Sequence, residues 1–225
     1  MKKYKRLLSI GGHSLDAELM GGPLLLKLAK NGAHCTFAHV TQGRLEDPNA
    51  SDGERADYLL RLRKQNDLTA IGMGSDSYSF DYVSSNMPSE DEFVKRLVDY
   101  FLEEKVDCVI THASGTMHAR HYFTYSTVTT AVKLLRSKGY DVDLLYGENC
   151  EDLVGFVPQL YVPLDKTEEE EWFSSLRNYE IFNGKVNSVP YFDYYSTMLK
   201  VRQIESGCRS GCKAYMYASL VDYDI

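Results

Sequence analysis

Short apolar runs alternate with longer amphipathic stretches along the first two thirds of the chain. Residues 6–10 read as a buried strand, and 16–30 carry Leu19, Leu24, Leu25 and Leu28 at helical spacing. A second strand is predicted at 35–40, then a polar loop over 41–53 and a charged amphipathic helix over 54–71. A strand at 78–82 precedes a helix over 90–104, for which Ser89 is the expected N-cap. Another buried-type strand at 106–110 leads into a helix over 121–137 that ends at Gly139, and 141–146 reads as a further strand. Strands alternating with helices predict an α/β fold: a Rossmann-like, mostly parallel sheet with helices on both faces.

The last third reads differently. Residues 157–164 are strand-like, but Pro158 and Pro163 near the two ends predict an edge position. Glu168 to Glu171 follow Thr167 at a helix start, where negative charge favours the helix dipole. An aromatic-rich stretch, 191–195, is expected to continue as helix through the 200s, which would set Cys208 and Cys212 on one helix face as packing residues. No repeat or long linker interrupts the chain. One domain over residues 1–225 is expected, with a strand and helix extension from about 156.

Length and charge narrow the function. The 225 residues suit one sizeable α/β domain, and 25 Lys+Arg against 32 Asp+Glu, a formal charge of -7, argue against a nucleic-acid binder. No apolar run reaches membrane-spanning length, and the start leads into a strand and not a signal segment. Five cysteines without framework spacing fit a reducing cytoplasm. Seventeen tyrosines, many in the last third, suit sugar stacking, a homo-oligomer interface or an aromatic core.

The chemistry lies at two strand ends. His13 and Asp16 follow Gly11-Gly12 where the first helix begins, and a second cluster, His112 to His121, follows another apolar strand. Ligands bind outside the carboxyl ends of strands in open α/β sheets. His13, Asp16 and one histidine of the second cluster make the three-ligand set of a catalytic Zn²⁺ or another divalent metal. Such a metal lowers the pKa of its water to about 7 and polarises a carbonyl, the equipment for amide or ester hydrolysis. The spacing of Gly11, Gly12, Gly21 and Gly22 is not that of a dinucleotide loop.

The segment His13-Ser14-Leu15-Asp16-Ala17-Glu18-Leu19, with Gly21-Gly22 after it, resembles the His-Pro-Asp-Asp-x-Glu-Leu motif of the PIG-L/LmbE-like zinc-dependent de-N-acetylases. His118-Ala119-Arg120-His121 resembles their His-Pro-Asp-His, and Phe156-Val157-Pro158 with Tyr161-Val162 also fits. The resemblance implies that His13, Asp16 and His121 bind the metal and that His118 contacts the substrate carbonyl oxygen. It further implies a small-molecule substrate, an N-acylated amino sugar or conjugate.

Three family acids are missing. Leu15 stands at the general-base position, Arg120 within the second motif, and Arg44 after Gly43 on the loop beyond the second strand. Loss of a general base costs about 10²–10⁴-fold in rate. Arg44 and Arg120 either favour an anionic ligand or point to solvent and neutralise neighbouring acids such as Glu46 and Asp47. Glu18, one turn beyond His13, is a candidate displaced base, with Asp47 and Asp52 as others, and Asp81 is a candidate substrate contact. His112 is either an orienting partner of a ligand or a buried structural imidazole, and His34 and His39 are expected to be structural. A metal-dependent amidohydrolase is the first expectation. A catalytically silent metal- and sugar-binding protein, or a different hydrolytic or lyase reaction, are its rivals.

Overall fold

The computed structural model describes residues 3–45 and 47–219. Four βα steps and a fifth strand open the chain: β1 (Arg6–Gly11), α1 (Asp16–Lys30), β2 (His34–Thr41), α2 (Asp52–Gly72), β3 (Asp76–Tyr82), α3 (Glu90–Glu103), β4 (Cys108–Thr111), α4 (Ala119–Ser137) and β5 (Asp143–Gly147). The remainder supplies β6 (Leu160–Pro163), α5 (Lys166–Leu176), α6 (Tyr191–Ser206) and β7 (Cys212–Tyr217). Among the described residues the strands form one seven-stranded sheet in the order β3-β2-β1-β4-β5-β7-β6. The first five are parallel, while β7 runs antiparallel to both neighbours.

Both faces of the central strands are covered, so alternate residues enter two cores. Leu7, Cys108 and Ile110 pack with Leu19, Leu25, Trp172 and Leu199 from α1, α5 and α6. Leu8, Ile10 and Val109 pack with Phe93, Leu97, Val128 and Val132 from α3 and α4. That is why these strands read as near-continuous apolar runs. Capping boxes start α2 and α3, where Ser51 pairs with Glu54 and Ser89 with Glu92. No helix among the described residues is long and apolar enough to cross a membrane.

One predicted element is corrected. Helix does not run through the 200s: Gly207, at φ 68°, ends α6 in the left-handed conformation. The chain then returns as β7, inserted between β5 and β6. Cys208 lies in the turn and Cys212 begins the strand, so they share no helix face. Lys213, inside that strand and 1% exposed, breaks the apolar signature by which a buried strand is read. The expected edge strand is β6, which pairs with β7 alone among the described residues.

The order places the site. From β1 the chain steps outward to β2 and β3, then crosses back to β4 on the other side. That reversal opens a crevice beyond the carboxyl ends of β1 and β4, the ligand position of open α/β sheets.

Candidate metal centre

Four segments meet in that crevice. The turn after β1 brings His13 and Asp16, and Gly11 makes room for it: a Cβ there would stand 2.5 Å from the Asp16 Cβ. The end of β4 brings His112, the start of α4 brings His118 and His121, and the loop after β5 brings Asn149, Glu151 and Asp152. A cavity of about 390 Å³ opens above them, within the usual range for small-molecule sites. His13, Asp16, His118, His121 and Arg44 line it.

The Asp16 carboxylate is the hub. Its Oδ2 accepts from the His13 backbone N–H at 2.8 Å and lies 3.2 Å from His13 Nδ1, 3.3 Å from His121 Nε2 and 3.6 Å from His112 Nε2. Burial disfavours its charge, yet the His121 charge and the three imidazoles gathered round it outweigh that and hold its carboxyl well below the usual range.

Asp152, fully buried, spans two imidazoles. Its Oδ2 is 2.6 Å from His112 Nδ1 and its Oδ1 is 2.9 Å from His121 Nδ1. Both rings therefore turn Nε2 toward Asp16. Burial opposes the Asp152 charge, but the two histidines pull its pKa down to about 2. For His121, burial disfavours protonation, while Asp16 and Asp152 prevail and raise its pKa to about 10.

Each other imidazole has a defined role in the local hydrogen bonding. His112 Nε2 accepts the Gly12 backbone N–H at 3.0 Å, so its proton sits on Nδ1 toward Asp152, and the ring is an anchor with both nitrogens used. His118 caps α4: its Nδ1 accepts the Arg120 backbone N–H at 3.3 Å, which leaves the proton of the neutral ring on Nε2. Burial, helped by the neighbouring His121 and His13, lowers its pKa to about 4. His118 is thus a neutral N–H donor at the cavity wall, stacked on His121 at 4.4 Å between centroids.

The donor set fits a divalent cation. Ligand atoms of His13, His118 and His121 lie within 4.8 Å of one another, as do those of Asp16, His112 and His121. Imidazole and carboxylate donors suit zinc. The two carboxylates draw a proton onto His121, and a cation at Nε2 would answer the same negative field. His112 Nε2 is taken by the Gly12 N–H, which leaves His13, Asp16, His118 and His121 as the donors that face the cavity.

Other expected residues lie elsewhere. Glu18 is fully buried beneath the site, where its Oε1 accepts from the Tyr179 hydroxyl at 2.7 Å and faces His39 Nε2 at 3.0 Å. It does not line the cavity, because the helical phase of α1 turns it toward α5 and β2. Arg120 donates to the Ser84 carbonyl and does not line the cavity either. Asp81 pairs with Arg63 at 2.9 Å in a separate shallow groove. Asp47 and Asp52 are exposed and outside the cavity, and Glu46 lies outside the described residues. His34 makes a surface contact with Asp76 at 3.6 Å. Leu15, at φ 83°, is buried with the core and, unlike these, lines the cavity.

Sequence reasoning missed Asn149, Glu151 and Asp152. Asp152 supplies from a distant loop an acid–histidine pairing that the second motif, with Arg120, does not contain. Glu151 Oε2 lies 3.7 Å from His121 Nε2, and Glu151 and Asp16 are the acids that line the cavity among the described residues. The available signal was polar: Glu148-Asn149-Cys150-Glu151-Asp152 follows directly on an apolar strand of the parallel set.

Residues 8–132 match the family described as PIG-L, GlcNAc-PI de-N-acetylase. No curated protein matches the chain. Among solved structures, the 4-carboxy-2-hydroxymuconate hydratase GalB of Pseudomonas putida is similar at a TM-score of 0.76 and 13% identity, over 97% of this chain and 98% of that one. The N,N'-diacetylchitobiose deacetylase of Pyrococcus horikoshii gives 0.73 and 16%, over 95% and 83% respectively. The zinc-inhibited form of the teicoplanin deacetylase Orf2 gives 0.67 and 16%, over 96% and 100%. At these identities the likeness is one of fold.

Proposed function

The chain belongs to the PIG-L family, and from that premise we propose that it is a metal-dependent hydrolase that removes an acyl group from the nitrogen of an amino sugar or sugar conjugate. The observation that carries the reading is the convergence of His13, Asp16 and His121 on one point, with both partners of Asp152 turned inward. Deacetylases among the structural neighbours support it.

A bound zinc or similar ion would supply an acidic water and polarise the acyl carbonyl. His13, Asp16 and His121 would hold it. His118, neutral and protonated at Nε2, is suited to donate to the carbonyl oxygen as charge grows there. Leu15 cannot take a proton. Glu151 can: its carboxylate stands on the cavity wall beside His121 and is free of the buried network that occupies Glu18. In this reading Glu151 accepts the proton from water and returns it to the leaving amine. Arg44 on the same wall supports an anionic group on the substrate.

Purified protein loaded with zinc is expected to release acetate from N-acetylated sugars, and His13→Ala to release none. No release from a broad panel by wild-type protein would remove the hydrolase reading.

Leu15 also favours a second reading. With the usual base position filled by leucine, hydration of a double bond in a carboxylated substrate is the alternative chemistry, and the fold extends over almost the whole of a hydratase. Consumption of 4-carboxy-2-hydroxymuconate without acetate release would support it. Metal binding with neither reaction would leave a silent binding protein.

A further inference from the structure

Asn149 follows β5 directly, lines the cavity and is 2% exposed. Its Oδ1 accepts the Glu151 backbone N–H at 3.1 Å. A backbone N–H only donates, so this contact decides which way the amide is turned. Nδ2, with two donor hydrogens, is left buried and without a partner among the described residues. A buried donor without an acceptor destabilises the fold, and such groups call for an explanation.

No acceptor of the surrounding wall reaches Nδ2 among the described residues. Ser14 Oγ, in the same cavity, is likewise buried without a partner. The Asp16 carboxylate already faces three imidazoles and a backbone N–H. Glu151 stands with its side chain about half exposed, toward the mouth. An incoming oxygen is what Nδ2 lacks.

We propose that Asn149 is a specificity-determining residue whose Nδ2 donates to a carbonyl or carboxylate oxygen of the bound ligand. The proposal rests on the cavity being the substrate site, and not on which reaction follows. Asparagine suits the place better than aspartate, whose charge would sit beside Glu151 and Asp152 and repel an oxygen acceptor. A site built around a buried donor rejects ligands that present a second donor there.

Acetate and acetamide test it, because they share the acceptor oxygen and differ in charge. Their binding to the zinc-loaded full chain is measured by ligand-observed NMR titration, for wild type, Asn149→Asp and Asn149→Ala. Asn149→Asp keeps the acceptor for the Glu151 N–H, and an unchanged melting temperature checks that the loop is intact. Wild type is expected to bind at least one probe, and Asn149→Ala to weaken it roughly 5- to 150-fold, the worth of one buried hydrogen bond. Asn149→Asp is expected to weaken acetate at least as much. Loss confined to acetate marks a carboxylate ligand, and loss confined to acetamide an acyl carbonyl. Unchanged binding in both variants, or no binding of either probe to wild type, overturns the proposal. Because the readout is binding, absence of acetate release from N-acetylated sugars would sink the hydrolase reading and leave this one standing.

Discussion

The Asp152 carboxylate holds Nδ1 of His121 at 2.9 Å, across 31 positions of sequence, and so decides where Nε2 of that ring points. Its second oxygen does the same for His112. Asp152→Asn keeps the shape but presents an N–H to one of two imidazole N–H groups, donor against donor. Zinc affinity is expected to fall about 10- to 100-fold, as it does when partners of metal-ligating histidines are removed. Competition against a chelator of known affinity measures it. Unaltered affinity would mean that the ring is oriented without Asp152.

Metal binding to the folded chain alone should raise its melting temperature. Free metal at a hundred times its dissociation constant adds about 2.7 kcal/mol of stability. Thermal denaturation with and without zinc is expected to show this shift in wild type and to lose it in His121→Ala. A shift of equal size in the variant would place the ion elsewhere.

Glu151 and Leu15 form a complementary pair of tests. Glu151→Gln is expected to lower acetate release about 10²–10⁴-fold while zinc content stays at the wild-type level. Leu15→Asp in that background should recover part of the loss. The backbone favours the change, since Leu15 sits at φ 83° and aspartate tolerates positive φ better than leucine. Against that, Leu15 is only 2% exposed, and its burial is lost, so a lower melting temperature is expected. Wild-type rates in Glu151→Gln would remove this residue from proton transfer.

Lys213 gives the fold a pH signature. Burial, offset only in part by Glu148, lowers its pKa to about 8 from the 10.5 of an exposed lysine. Its ammonium donates to the Glu148 carbonyl at 2.7 Å and lies 4.7 Å from the Tyr195 ring centroid. Below about pH 8 the lysine is charged in both folded and unfolded chains, and the full cost of burying that charge is present. Between about 8 and 10.5 the unfolded chain binds more protons, so this residue's contribution to stability rises with pH. Urea denaturation at several pH values in that window should show wild type gaining on Lys213→Met. A constant difference between the two would mean that the lysine does not titrate there.

The strand and helix alternation was legible because each element carries its own period, and near-continuous apolar strands announce a sheet covered on both faces. His13, Asp16, His118 and His121 were legible for a related reason: each lies between a strand end and the first turn of the helix that follows, where local order brings it toward the crevice. The α1 residues show the limit of that reasoning. Asp16 faces the site and Glu18 the core, a choice made by how the helix packs against Trp172 and Tyr179. Asn149, Glu151 and Asp152 reach the histidines because β5 lies beside β4, and β7 enters between β5 and β6 through pairing with strands distant in the chain. Periodicity and capping act over one or two turns, whereas sheet order and buried polar partners come from contacts that exist only after the chain has folded.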